Sequence, residues 1–157
     1  MKPRGLTALL GYMNQNFHVA CPACNTVNRV DPARLREGAT CGKCKHALLP
    51  SEPVALTAAN FDRQVAVSDL PLVVDFWAPW CGPCRTMAPA FEEAAARLAP
   101  RVRLGKLDTE AAPEIAARFA IRSIPTLIIF RNGREVARQS GAMGTSQLLQ
   151  WIKTHVE

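Results

Sequence analysis

Leu72-Val-Val-Asp-Phe-Trp-Ala-Pro-Trp-Cys-Gly-Pro-Cys84 is the stretch that decides how this chain folds. Leu72 to Trp77 is apolar on both faces apart from Asp75, the pattern of a central strand covered on both sides. A Cys-x-x-Cys pair follows at once, and helical spacing then runs from Cys84 to Leu98 through Pro89, which should kink that helix. Outward from this strand and helix the alternation continues. Thr57 is placed to cap a helix over residues 58–65. A second strand is expected over 102–108 and a short helix over 114–119. Strands over 126–130 and 135–139 flank Asn132-Gly133, a strong hairpin signal. Residues 145–155 form an amphipathic final helix. The layout predicts an α/β fold, a central mixed sheet flanked by helices, parallel in the middle with an antiparallel hairpin at one edge.

Upstream the composition changes. All six cysteines fall in Cys-x-x-Cys pairs: Cys21/Cys24, Cys41/Cys44 and Cys81/Cys84. Sixteen residues separate the first two pairs, the spacing of a four-thiolate zinc site. Two tight turns would each offer two sulfurs to one Zn2+ ion, and Gly42 should ease the second turn. Two disulfides or a second redox pair are the competing uses. His18 and His46 lie beside the knuckles, but four cysteines already fill a structural site, so both read as exposed basic side chains. The apolar material between the knuckles is sparse (Val27, Val30, Leu35, Ala39), so this small module needs its metal to hold a fold. Pro50-Ser-Glu-Pro53 reads as a short stiff linker. The expected organisation is an extension over 1–17 without periodicity, a zinc-ribbon domain over 18–49 and an α/β domain over 50–157. Met13 is a second candidate start.

Charge and hydropathy narrow the function classes. Residues 1–50 carry seven Lys/Arg against two Asp/Glu, and residues 51–157 carry twelve against eleven. A four-thiolate zinc centre would offset two of the front charges, and residues 21–50 contain no Phe, Tyr or Trp to stack on bases, so no nucleic-acid partner is expected. Apolar runs are far short of the roughly 20 residues that cross a bilayer, so no membrane role is expected either. The basic N-terminus lacks the longer apolar core of a secretory signal. Zinc thiolates survive in a reducing compartment, which points to the cytoplasm.

Cys81 and Cys84, following a strand at helical spacing, suit a dithiol that is oxidised and reduced in turn. Cys81 stands where unpaired amide N–H groups and the helix dipole favour an anion, and is the expected attacking thiolate. Cys84, one turn in and more shielded, is expected to resolve the mixed disulfide. A structural zinc role for this pair lacks a third and fourth ligand.

Here a resemblance becomes specific. Val73-Val-Asp-Phe-Trp-Ala-Pro-Trp-Cys-Gly-Pro-Cys84 resembles the active-site segment of the thioredoxin family, and Ile121-Arg-Ser-Ile-Pro-Thr-Leu127 resembles its second signature. The similarity runs from about Val54 to the end; with the knuckles in front, the chain resembles the bacterial thioredoxin 2 type. The resemblance implies a protein-disulfide reductase that acts on disulfide-containing substrate proteins. An NADPH-dependent, flavin-containing thioredoxin reductase would regenerate it, with no organic cofactor of its own and a monomeric state. It implies that Asp75 is the buried carboxylate that takes a proton from Cys84, through water, where the residues alone leave a strand-edge carboxylate open. Lys106 matches the lysine paired with that aspartate. Gly105 beside it is unusual within a strand and leaves the register open. Pro125 matches the family's cis-proline, which keeps metals off the thiols and presents the Ile124 backbone to an extended substrate. Trp80, Gly82, Pro83, Ile124, Gly141 and Ala142 would form the apolar docking face, with Trp77 as packing. The ribbon would dock partners or sense oxidation. The alternative is a zinc-ribbon binding module carrying a passive second domain.

Overall fold

The computed structural model describes residues 16–157. Met13 and most of the expected extension lie outside the described residues. Phe17, assigned above to that extension, instead opens a strand and is buried.

The N-terminal part is a ribbon. Strands β1 (Phe17–Ala20) and β2 (Val27–Val30) pair antiparallel, Phe17 opposite Val30 and Ala20 opposite Val27. A 3-10 helix, Pro32–Glu37, follows. Its start is capped by Asp31, whose carboxylate accepts the Ala33 N–H at 2.9 Å, and its end by Gly38 in the left-handed region at φ 77°. The ribbon's core is small: Phe17, Val19, Cys21, Val30, Cys41 and Leu48, closed from the other side of the linker by Leu70. Val27, counted above among the ribbon's apolar material, is 39% exposed at the knuckle end of the hairpin, where it pairs with Ala20.

The larger unit comprises β3 (Val54–Leu56), α1 (Phe61–Val67), β4 (Leu72–Trp77), α2 (Gly82–Leu98), β5 (Arg103–Asp108), α3 (Pro113–Arg118), β6 (Thr126–Arg131), β7 (Arg134–Ser140) and α4 (Thr145–Val156). Its sheet runs β3-β5-β4-β6-β7. β3, β5 and β4 are parallel, whereas β6 and β7 run antiparallel from β4 to the other edge. The hairpin turns at Asn132 and Gly133, both at positive φ (51° and 79°), as a two-residue connection between right-twisted strands requires.

Two local expectations change. Thr57 heads a turn and not the helix: its hydroxyl accepts the Asn60 N–H at 3.3 Å while Asn60 Oδ1 accepts the Thr57 N–H at 2.7 Å, and α1 begins only at Phe61. Gly105 is explained by register. It pairs with Val54, and a Cβ there would stand 2.8 Å from Leu56 Cδ1, so the missing side chain lets β3 lie close against β5.

Alternation along β4 sorts its side chains between two cores. Leu72, Val74 and Phe76 pack with Phe61, Ile115 and Phe130 under α1 and α3. Val73 packs with Met87, Phe91, Leu127 and Leu148 under α2 and α4. Asp75, two residues on from Val73 and opposite Leu127, belongs to that second face, beneath the helix that begins at the cysteine pair.

The two units meet along α1 and β1. Asp69 N–H donates to the His18 carbonyl (2.9 Å), and the Asp69 carboxylate accepts the His18 N–H (2.6 Å) and lies 3.1 Å from His18 Nδ1. No helix among the described residues is long and apolar enough to cross a membrane.

Candidate active site and metal centre

Cys81 is the N-cap of α2 and is joined to Cys84 by a disulfide, with Cα atoms 5.3 Å apart. The helix start is dictated locally: extended backbone at Cys81, then Gly82 and Pro83 at the first helical positions, where an absent proline N–H loses no bond. The Cys81 sulfur accepts the Cys84 N–H at 3.2 Å, and the Ile124 carbonyl lies 3.7 Å from it. Both cysteines are nearly covered, 3% and 2% exposed, so in the disulfide form shielding does not separate them as expected. Position does: Cys81 sits at the helix end among unpaired N–H groups, Cys84 within the first turn.

Beside the pair, the Ile124–Pro125 bond is cis. The Gly141 N–H donates to the Pro125 carbonyl at 2.9 Å, and Gly141 holds φ 97°, open to glycine and strained for other residues. Gly82, Pro83, Gly141 and Ala142 are exposed and Ile124 is half-buried against Cys81 and Cys84. Trp80 is 64% exposed, and its indole N–H donates to Glu110 Oε1 at 2.6 Å. Glu110 is a residue that sequence reasoning missed; nothing in its neighbourhood marks it until the fold brings the loop after β5 against Trp80.

Asp75 is completely buried, and neither carboxylate oxygen has a hydrogen-bond partner among the described residues. Burial pushes its pKa up to about 7, with Lys106 pulling the other way. Lys106 is its register neighbour on β5 and places Nζ 4.3 Å from the centre of the Trp77 ring. An acid poised near neutrality thus lies under α2.

The second cluster lies in the ribbon. The sulfurs of Cys21, Cys24, Cys41 and Cys44 all lie within 4.8 Å of one another, with Cys21–Cys44 at 3.5 Å and Cys24–Cys41 at 3.6 Å. Tetrahedral zinc with Zn–S near 2.3 Å needs sulfurs about 3.8 Å apart, so the donor set fits the ion. The two knuckles are built alike. Cys21 and Cys41 each accept from an amide two residues on (Ala23 and Lys43, 3.4 Å), and their carbonyls accept from Asn25 and Lys45. Asn25 and Lys45 carry the left-handed backbone (φ 66° and 68°), so these positions make the turn, and the expected help from Gly42 is not a positive φ. The Cys44 N–H, supported by the Asn28 amide and the Lys43 N–H, holds the Cys41 thiol down to about 5, which favours the ligating thiolate. His18 and His46 stand apart, engaged with Asp69 and with the Ala47 carbonyl.

Sequence reasoning also missed Gln64 and Arg103. Gln64 sits on the apolar stripe of α1 beside Phe61 and Val65; a polar residue on that stripe is visible in the sequence, but its burial and its partners come only with the fold.

Comparisons with known proteins agree with this geometry. The thioredoxin family model matches residues 52–154, and a family model described as thioredoxin 2, N-terminal, matches residues 20–46. The chain is 45% identical over 139 residues to thioredoxin C-3 of Corynebacterium nephridii, covering 88% of this chain and 95% of that protein. It is 42% identical over 106 residues to a thioredoxin of Haemophilus influenzae (68% and 99%) and 45% identical over 100 residues to one of Mycobacterium tuberculosis (64% and 86%). A disulfide-forming pair at a helix start, under a five-stranded mixed sheet with these matches over both units, means that the chain belongs to the thioredoxin family and is a thiol-disulfide oxidoreductase with a zinc-ribbon domain in front.

Proposed function

We propose that this reductase works through Cys81 as nucleophile and Cys84 as resolving thiol. The observation that carries the reading is the Cys81 sulfur at the N-cap of α2, accepting the Cys84 N–H, with the Ile124 carbonyl beside it. In the reduced protein the Cys81 thiolate attacks one sulfur of a substrate disulfide. A Cys81–substrate disulfide forms and the substrate's other sulfur leaves as a thiolate. Cys84 then loses its proton to the Asp75 carboxylate, through water, and attacks the Cys81 sulfur. The second substrate thiolate leaves, the Cys81–Cys84 disulfide closes, and two electrons have passed to the substrate.

Helix-end stabilisation matters in both steps. A thiol pKa near 7, the figure known for thioredoxin itself, raises the thiolate fraction at neutral pH from about 3% to about 50%. Intrinsic nucleophilicity falls roughly fivefold with a Brønsted slope of 0.4–0.5, so attack gains only about threefold. The larger benefit is that Cys81 becomes a better leaving group when Cys84 attacks. Lys106, close to Asp75 along the sheet, tempers the carboxyl's rise in pKa. Trp80, Gly82, Pro83, Ile124, Gly141 and Ala142 supply the flat face on which a substrate strand lies, with the Ile124 backbone available to it.

Cys21, Cys24, Cys41 and Cys44 hold one zinc ion in this reading, with a structural role. The expected partners are an NADPH-dependent thioredoxin reductase and disulfide-bearing proteins, met by a monomer, and the need of zinc thiolates for a reducing compartment supports a cytoplasmic reading. Insulin reduction under dithiothreitol tests the reading: Cys81→Ser should abolish turbidity, and full activity in that variant sinks it.

A further inference from the structure

The two units share a buried cation that the redox chemistry does not use. Arg103, the first residue of β5, is 4% exposed and is the one buried Lys or Arg side chain among the described residues. Its Nη2 donates to Gln64 Oε1 at 2.5 Å, while Nε and Nη1 find no acceptor among the described residues. Gln64, fully buried on α1, spends its amide on the ribbon: Nε2 donates to the Cys21 carbonyl and to Asn25 Oδ1, both at 2.9 Å. A guanidinium in the larger unit is therefore one side chain away from the first knuckle. Leu72 on β4 lies opposite it in register, and the Arg103 backbone N–H donates to the Pro71 carbonyl at 2.9 Å.

A buried cation with one hydrogen bond is costly unless an opposite charge lies close. The other buried ionisable group in the sheet, Asp75, sits three register positions away beside Lys106. Cys21 is the titratable side chain that acts on Arg103 across the seam; burial pulls the guanidinium down to about 10 and Cys21 works against that, so it stays charged at neutral pH. Four thiolates around a divalent ion leave two net negative charges in the ribbon.

We propose that Arg103 is the counter-charge of the ribbon's zinc-thiolate centre, held there by Gln64, so that metal in the ribbon stabilises the thioredoxin unit. This rests on the zinc reading above. The ribbon is then a part of the enzyme's own electrostatics. A filled site sets a net negative centre beside a cation that the other unit has already buried, and an emptied one frees the knuckle whose Cys21 carbonyl and Asn25 side chain anchor Gln64.

The experiment uses the full chain under reducing conditions. Zinc per chain is measured first, then zinc affinity by competition with a chromophoric chelator in the wild type, Arg103→Met and Arg103→Lys. Outer partners of metal ligands typically contribute 10–100-fold to affinity. The expectation is a loss of that size in Arg103→Met and most of the affinity kept in Arg103→Lys, a rescue that a packing role would not give. The wild type alone supplies a second arm, independent of whether Arg103→Met folds. Tryptophan fluorescence reports only the thioredoxin unit, since Trp77, Trp80 and Trp151 all lie there, and its urea midpoint should fall when zinc is stripped. Equal zinc affinity in the wild type and Arg103→Met, or a midpoint indifferent to zinc, overturns the proposal while leaving the zinc site standing. A wild type that binds no zinc brings down the zinc reading itself, and the proposal with it.

Discussion

Replacing Asp75 with Asn should stabilise the oxidised protein, and by an amount that grows with pH. The carboxyl is fully buried without a hydrogen-bond partner among the described residues, and burial raises its pKa from 3.8 to about 7. A raised acid means that the folded state binds the proton more tightly than the unfolded chain does. Between about pH 4 and pH 7 the folded state therefore holds more protons, and stability falls as pH rises. Three pKa units at about 1.4 kcal/mol each give a penalty of about 4 kcal/mol, complete above pH 7 and absent below pH 4. Asn removes it. An unpaired buried amide costs about 1–3 kcal/mol of its own, but that term does not titrate and shifts the whole curve without tilting it.

The assay is urea unfolding of the oxidised, zinc-loaded protein from pH 5 to pH 8.5, followed by tryptophan fluorescence. Differences between variant and wild type cancel the other titrating groups. About 3 kcal/mol of the total falls inside this window, so the variant's advantage should widen by that much from the acid end to the alkaline end. A difference that stays flat, or narrows with rising pH, refutes the raised pKa and with it the assignment of Asp75 as proton acceptor. Insulin reduction supplies the functional half: the same variant should lose activity because the step that releases the mixed disulfide has lost its base.

Other perturbations test other parts of the structure. Gly141→Ala puts a side chain at φ 97° and should cost about 1–2 kcal/mol, read as a lowered urea midpoint, and weaken substrate docking by loosening the Gly141–Pro125 hydrogen bond. Gly105→Ala brings a Cβ to 2.8 Å from Leu56 Cδ1 and should cost about 1–3 kcal/mol by the same measure, with faster amide exchange in β3. Chelating zinc under reducing conditions should unfold the ribbon while the sheet persists, seen as selective proteolysis within residues 16–50. Asp69→Ala removes the acceptor of the His18 N–H and should speed exchange of that amide, at a cost of about 1–2 kcal/mol.

The core of the fold is legible because β4 and α2 follow local rules. Leu72–Trp77 is a strand from end to end, and the cysteine pair opens the helix where the strand hands over. The hairpin at Asn132-Gly133 is equally local, since both residues tolerate positive φ. Errors fall where a neighbour in space decides. β3 is three residues long, too short to show alternation, and exists because β5 offers it an edge and Gly105 lets it approach. Phe17 reads as tail until Val30 pairs with it. The start of α1 slips to Phe61 because Thr57 and Asn60 prefer each other to the helix.

The same division runs through the functional residues. The thiols announce themselves by spacing, which is a property of chain geometry at a metal or a helix end. Gln64 and Arg103 do not, because each has a meaning only against the other unit. Alone, Gln64 is a polar residue on an apolar stripe and Arg103 an odd charge at a strand start. Together they bridge Cys21 to the sheet, and a buried donor with no acceptor is affordable only if a negative charge stands nearby. A ribbon that merely hung from a linker would leave Arg103 without a reason to be charged. Its burial at the seam argues that the two units have one electrostatic balance, and that a metal held by the four ribbon thiols would lie on one side of it.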